Sequence, residues 1–146
     1  MRIGVDLGGT KIEVIALDDR GAVLMRERRP TPAGNYAAIV ECIADLVTAA
    51  RARTGDRASI GIATPGAISR RTGLVKNSNS TALNGKWLQR DLSQRLAQDV
   101  RLENVANCFA LSEAVDGARA AQRGVFGVIL GTGVGGGIAI DRRIEA

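Results

Sequence analysis

No histidine occurs among the 146 residues, and the only two cysteines, Cys42 and Cys108, stand far apart without a CxxC spacing. A zinc site built by this chain is therefore not expected. The two thiols read as core residues of a protein in a reducing, cytoplasmic setting. Aromatic residues make up only 3%, so any core must be assembled from Ala, Val, Ile and Leu. The same scarcity removes the aromatic platforms on which single-stranded nucleic acids stack. Long apolar runs are missing too: the most apolar stretch, Val125 to Ile140, is too short and too rich in glycine to span a bilayer. A strand pattern starts at once after Met1, with no secretory leader before it.

Charge of one sign is in mild excess, at +5 with a pI of about 10.0. The excess is Arg scattered in short pairs, such as Arg28-Arg29, Arg70-Arg71 and Arg142-Arg143. No basic helix or stripe results, so neither a nucleic acid nor a membrane is expected as a partner. What is plentiful is apolar and small: 45% hydrophobic residues and 18 glycines, the latter clustered. This is a globular composition, and a chain of this length can bury roughly two-thirds of its unfolded surface without staples.

Alternation at Ile3, Val5 and Leu7 predicts a strand over Arg2–Leu7, and a second strand runs over Lys11–Leu17 after a Gly8-Gly9-Thr10 turn. A third strand over Ala22–Arg28 completes an antiparallel meander. Ile39, Ile43, Leu46 and Val47 predict a helix ending near Arg53, before Gly55. A strand over Ser59–Thr64 is stopped by Pro65-Gly66. Residues 66–87 read as irregular, with a short strand at Leu74 and Val75. Leu88, Leu92 and Leu96 predict a helix over Leu88–Ala97, followed by a strand over Val100–Glu103. A helix is expected over Asn107–Ala121, then strands over Val125–Leu130 and Gly137–Ile140. The order implies a mixed sheet with helices on its faces, an α/β architecture. The last strand pair resembles the first hairpin, as if a second copy of the same unit were beginning.

Four segments carry chemistry. Asp6-Leu7-Gly8-Gly9-Thr10-Lys11 combines a strand-end carboxylate, a glycine turn, a hydroxyl and an ammonium. That set suits a phosphate, with Asp6 on a water-bridged Mg²⁺, and it equally suits a plain hairpin turn capped by Asp6. Gly131-Thr132-Gly133-Val134-Gly135-Gly136-Gly137 matches GxGxxG in form, but strand-like residues follow where a dinucleotide fold needs a helix. It reads as a second phosphate-cradling hairpin. Pro65-Gly66 and the polar tract Asn77-Ser78-Asn79-Ser80-Thr81 offer the neutral donors and acceptors that sugar hydroxyls need. Glu103-Asn104-Val105-Ala106-Asn107 lies where a strand enters a helix, and Asn104 or Asn107 can serve as the helix cap.

In this order and spacing the four segments resemble ROK-family sugar kinases, most nearly bacterial fructokinases, with the likeness continuing through Asn84-Gly85 and Ser112–Gly117. The resemblance implies an actin/Hsp70/hexokinase-like (ribonuclease H-like) mixed sheet with flanking helices. It implies transfer of the γ-phosphate of ATP to a hexose hydroxyl with Mg²⁺, in a cleft between two lobes that close to exclude water. It places nucleotide and phosphate at Asp6, Gly8, Gly9, Thr10, Lys11, Gly131, Thr132 and Gly133. Sugar falls to Pro65, Gly66, Asn79, Glu103 and Asn104. Residues 1–122 would form the N-terminal lobe, and 123–146 the first hairpin of a second, incomplete lobe. The family pattern Glu-Asn-Asp-Ala-Asn carries its general base at the position of Val105, and losing a positioned base costs roughly 10²–10⁴-fold in rate. Glu103, two residues away on the same strand face, is the nearest carboxylate. The family runs to about twice this length, so its adenosine-binding region and its structural zinc cluster would lie in a missing C-terminal part. This fragment is expected to be inactive. The family's sugar-responsive repressors place a DNA-binding segment ahead of the kinase-like part, for which Met1 leaves no room. A severed lobe would favour a homodimer or domain-swapped self-association.

Overall fold

The computed structural model describes residues 1–120, 122–131 and 133–145. It divides into two compact units, Met1–Leu102 and the residues from Glu103 onward.

The first unit is built on β1 (Arg2–Leu7), β2 (Lys11–Leu17), β3 (Val23–Pro30), β4 (Ser59–Thr64) and β7 (Val100–Asn104), the last reaching the unit boundary. Their sheet order is β3-β2-β1-β4-β7. β1 pairs antiparallel with β2 and parallel with β4, so the expected meander is extended by a crossover strand. Alternation works as the residues suggest: Ile3, Val5, Leu7, Ile12, Val14, Ala16, Ile60 and Ile62 are all buried on one face. That face is covered by α1 (Tyr36–Thr54), whose Ile39, Ile43, Leu46, Val47 and Ala50 form a buried stripe. Asn35 caps α1 by accepting from the Ala38 N–H, and Gly55, at φ +78°, ends it. α2 (Leu88–Leu96) adds Leu88, Leu92 and Leu96 to the same core.

Residues 66–87 hold more order than expected. β5 (Ala67–Ile68) pairs antiparallel with β6 (Val75–Lys76), and a short 3₁₀ turn covers Thr81–Leu83. The short strand expected at Leu74 and Val75 is β6, shifted by one residue, while β5 is too short for its periodicity to stand out in a sequence.

The second unit packs α3 (Val105–Val115) against an antiparallel sheet of β8 (Gly124–Leu130), β9 (Val134–Ile140) and β10 (Arg143–Glu145), in the order β10-β9-β8. Three expectations need correction here. The helix starts at Val105 rather than Asn107, because Asn104 supplies the cap, its side chain accepting from the Ala106 N–H. It ends at Val115, where Asp116 closes it; the expected end, Ala121, lies outside the described residues. β9 begins at Val134 rather than Gly137, and β10 was not foreseen. The β9–β10 turn uses Asp141 and Arg142 at φ +47° and +62°, a left-handed pair without the Asn-Gly signature of such turns. By packing, α3 belongs with the β8–β10 sheet, and the compact units part at Leu102/Glu103.

The α3 stripe is Ala106, Ala110 and Ala114, all buried. Opposite it lie glycines. A Cβ on Gly137 would stand 2.3 Å from the Ala106 carbonyl oxygen, one on Gly135 3.2 Å from the Ala106 Cβ, and one on Gly127 3.2 Å from the Ala110 Cβ. Part of the glycine richness thus serves helix–sheet contact, not a ligand.

Candidate functional site

Each unit carries one glycine turn. In the first unit, Asp6 ends β1 on the sheet face opposite the core. It stands in register with Glu13 on β2, and Glu13 with Arg28 on β3. Glu13 accepts from Arg26 Nε at 2.7 Å and Arg28 Nε at 2.6 Å, which holds its carboxyl below its ordinary pKa. Asp6 is shifted the other way. Although solvent reaches it, desolvation by the surrounding chain, and then the neighbouring Glu13 charge, push its carboxyl upward; Lys11 and Arg28 oppose the shift more weakly. An anion held at a cost beside a glycine turn is suited to a cation. Among the described residues no cluster of three or more acidic, Cys or His side chains could hold a metal by itself. A lone carboxylate agrees with the way Mg²⁺ sits, through waters and a ligand's phosphates.

The turn itself sorts its polar groups. Gly8 N–H donates to the Lys11 carbonyl at 2.9 Å, and Thr31, just past β3, closes the rest. Its N–H donates to the Thr10 carbonyl at 3.0 Å, and its hydroxyl donates to the Gly8 carbonyl at 2.7 Å. The Gly8, Thr10 and Lys11 carbonyls are therefore occupied. No hydrogen bond among the described residues engages the Gly9 or Thr10 N–H. Three of the four carbonyls are taken up within the fold while two consecutive N–H groups are not, and such unengaged donors are what an anion requires.

The two glycines have different reasons. Neither adopts a left-handed φ. A Cβ on Gly8 would stand 2.8 Å from the Lys11 carbonyl, so the turn demands glycine there; a Cβ on Gly9 would meet only Ser80 Oγ, at an ordinary 3.7 Å. The fold leaves Gly9 free to be another residue, and a bare backbone at the turn's tip suits close approach by a ligand.

Pro65 and Gly66 reach the same place because β4 runs parallel to β1, with Ala63 opposite Asp6. Gly66, at φ +83°, is required twice over, since its Cβ would lie 2.6 Å from the Lys76 carbonyl and 2.9 Å from the Ser78 backbone. Ser78 is gripped by Asn84, whose Oδ1 accepts from its N–H at 2.9 Å and whose Nδ2 donates to its carbonyl at 3.0 Å. Ser78 Oγ in turn accepts from the Ser80 N–H at 3.1 Å. Asn79, exposed between them, is carried on a braced loop. The structure thus gathers Asp6, the 8–11 turn, Pro65-Gly66 and the 78–80 loop at the C-terminal ends of β1 and β4.

In the second unit, Glu103 Oε1 accepts from the Asn104 N–H at 2.7 Å and from Asn107 Nδ2 at 2.9 Å, while Asn104 Oδ1 accepts from the Ala106 N–H at 2.8 Å. Both side chains are committed to the start of α3. Val105 is the first helical residue, so the strand alternation that would put Glu103 and Val105 on one face breaks at Asn104. The second glycine turn links β8 to β9 through Leu130↔Val134. The Gly131 N–H donates to the Gly133 carbonyl at 2.9 Å; Thr132 lies outside the described residues. Of the seven-residue run, Val134 to Gly137 lie in β9, where Gly135 and Gly137 pack on α3.

Sequence reading missed Thr31 and Glu13. Thr31 lay in a loop marked only by its prolines, and Glu13 by its period belonged to an ordinary solvated strand face. No disulfide joins Cys42 and Cys108, and no helix among the described residues is long and apolar enough to cross a membrane.

Comparison with known proteins places this arrangement. The profile of the ROK family matches residues 2–146. An N-acetyl-D-glucosamine kinase of Haemophilus influenzae is 41% identical over 146 residues, covering 100% of this chain and 48% of the relative. A ROK hexokinase from Thermus thermophilus superposes with a TM-score of 0.84 at 31% identity, over 99% of this chain and 48% of that one. A ROK family glucokinase from Streptomyces griseus, solved in complex with glucose and AMPPNP, gives 0.82 at 31% identity over 99% and 46%. The expected mixed sheet with flanking helices is the fold of these structures. The chain spans about half the length of the relatives it matches. The narrower likeness to fructokinases finds no support in them.

Proposed function

Because this chain belongs to the ROK family, we propose that it is the N-terminal part of a sugar kinase, holding the phosphate turn and part of the sugar pocket of an ATP-dependent hexose phosphotransferase. The observation that carries this reading is the 8–11 turn, whose Gly8, Thr10 and Lys11 carbonyls are held within the fold while the Gly9 and Thr10 N–H groups are engaged by none of the described hydrogen bonds. Gly9, Thr10 and Lys11 would bind phosphate oxygens, and Gly131, Thr132 and Gly133 would form the second phosphate turn. Asp6 would hold Mg²⁺ through water, and the metal would supply charge neutralisation at the transferring phosphate. Pro65, Gly66 and the loop bearing Asn79 would meet the sugar, with Glu103 and Asn104 shaping the start of α3 beside it in sequence. Relatives 41–45% identical are named N-acetyl-D-glucosamine kinases, which favours N-acetylhexosamine or glucose over fructose. Residues 1–122 are assigned to the first lobe and 123–146 to the second, and a structural zinc site is assigned to the half that relatives have and this chain lacks. A cytoplasmic location fits the substrate, ATP.

Val105 has no acid–base chemistry, and Glu103 is engaged in capping. The chain as it stands would therefore turn over slowly if at all. The test is a chimera joining residues 1–146 to the C-terminal half of the Haemophilus influenzae kinase, made with Val105 and with Val105→Asp. Phosphate transfer from ATP would be measured to N-acetyl-D-glucosamine, glucose and fructose. Activity in the Val105→Asp chimera, about 10²–10⁴-fold above its parent, is the expected result. Absence of transfer to every sugar by both would refute the kinase reading.

A second reading has its own observation. Phe126, Val128, Leu130, Val134, Ile138 and Ile140 are all exposed on the second unit, at alternate positions of two paired strands. That apolar face supports a non-catalytic module that self-associates or binds sugar without turnover.

A further inference from the structure

Resting on the kinase reading, we infer that Thr31 is a positioning residue for the nucleotide's phosphates. It reaches both limbs of the 8–11 turn. Its N–H, donating to the Thr10 carbonyl, extends the β2–β3 ladder by one rung beyond the Lys11↔Pro30 pair. Its hydroxyl crosses to the other limb and binds the Gly8 carbonyl at 2.7 Å. That second bond has no backbone substitute. The Gly8 N–H is already spent on Lys11, so without the hydroxyl nothing else described holds the Gly8 carbonyl. A carbonyl freed at this point can rotate outward and present a lone pair beside the Gly9 and Thr10 N–H groups. A phosphate oxygen approaching those donors would then be repelled.

Thr31 does this without meeting the ligand in its own right, because both of its donors are spent on the turn and its carbonyl accepts from the Ala33 N–H. Its role is distinct from that of Thr10, whose hydroxyl lies at the tip. The role also explains why a hydroxyl residue stands at the end of a strand pair otherwise dominated by charged side chains. Arg26, Glu27, Arg28 and Arg29 precede it, and none of these reaches the turn's backbone in the described hydrogen bonds.

The experiment compares the 146-residue chain with Thr31→Val, which keeps the shape and the N–H but removes the hydroxyl, and Thr31→Ser, which keeps the hydroxyl. Mg-ATP is titrated into each while the backbone amide signals of Gly8 to Lys11 are followed by NMR, and Tm is measured alongside. Wild type and Thr31→Ser should show saturable shifts centred on Gly9 and Thr10. Thr31→Val should bind about three- to tenfold more weakly, with Tm within a few degrees of wild type and with the free-state Gly8–Thr10 signals displaced. Equal Mg-ATP affinity in wild type and Thr31→Val overturns the role of Thr31 alone. A wild type whose turn signals ignore Mg-ATP overturns the phosphate reading itself, and this inference with it. Should Thr31→Val unfold, the retained affinity of Thr31→Ser does not suffice, and Thr31→Cys, a weak donor of similar size, must bind more weakly than Thr31→Ser for the role to stand.

Discussion

Gly8 and Gly9 are adjacent and identical, yet the structure separates them. Gly8 is demanded by the Lys11 carbonyl 2.8 Å from its Cβ position, and Gly9 by nothing in the fold. Gly8→Ala should therefore lower Tm, while Gly9→Ala should leave Tm unchanged and weaken Mg-ATP binding; thermal unfolding and the NMR titration check both. Asp6 offers a sharper case. Its carboxyl pKa is raised in the folded state, so ionised Asp6 destabilises the fold at neutral pH and ceases to do so as pH falls towards its ordinary 3.8. Asp6→Asn should raise Tm by a few degrees at pH 7, give no gain near pH 3, and abolish the Mg²⁺ dependence of nucleotide binding. Glu13 has the opposite sign. Its pKa is lowered by Arg26 and Arg28, so its contribution is present above 4.5 and lost as pH falls through the folded-state value. With both arginines more than half exposed, Glu13→Gln should cost only about 0.5–1 kcal/mol at neutral pH and nothing in acid, as denaturant titrations at two pH values would show.

At the scale of elements, the contact between α3 and β9 is the tightest in the second unit. Gly137→Ala would drive a methyl into the Ala106 carbonyl, and overpacking of this kind costs about 1–3 kcal/mol. Gly61→Ala on β4, where nothing lies within 4 Å of the new Cβ, should be neutral, and the pair of Tm values separates packing from composition. Val105→Asp tests the same helix from its N-terminus. α3 has no acidic residue in its first turn, so a carboxylate there gains about 0.3–1 kcal/mol from the helix dipole and should not unfold the unit. Restored catalysis in the chimera could then be assigned to the base. The strands and helices of the first unit were legible because their apolar periods are long: β1, β2 and β4 fall where alternation puts them. β5 and β10 are two and three residues long and carry no period, β6 was read one residue out of place, and the left-handed pair at Asp141-Arg142 carries no turn signature.

For the molecule as a whole, the apolar outer face of β8 and β9 is left exposed among the described residues. Phe126, Leu130 and Val134 are 68%, 78% and 79% exposed. If the second reading holds, the 146-residue chain should associate with concentration in sedimentation measurements, and Phe126→Ser with Leu130→Ser should suppress the association. A strictly monomeric wild type at high concentration would sink self-association.

The candidate site was legible as motifs, since phosphate and sugar chemistry restricts residue types: Asp6, Gly8 to Lys11, Pro65-Gly66 and Asn79 could be named as candidates before any coordinate. Family membership followed from their order. The structure alone could tell which glycines the fold itself demands, because that depends on what stands opposite, at Lys11 for Gly8 and at Ala106 for Gly137. It alone revealed Thr31, whose partners lie more than twenty residues away in sequence, and it alone showed Glu103 tied into the cap of α3. Local periodicity and motif chemistry are written in neighbouring residues. Close approach, hydrogen-bond partnership and desolvation arise between residues that only folding brings together.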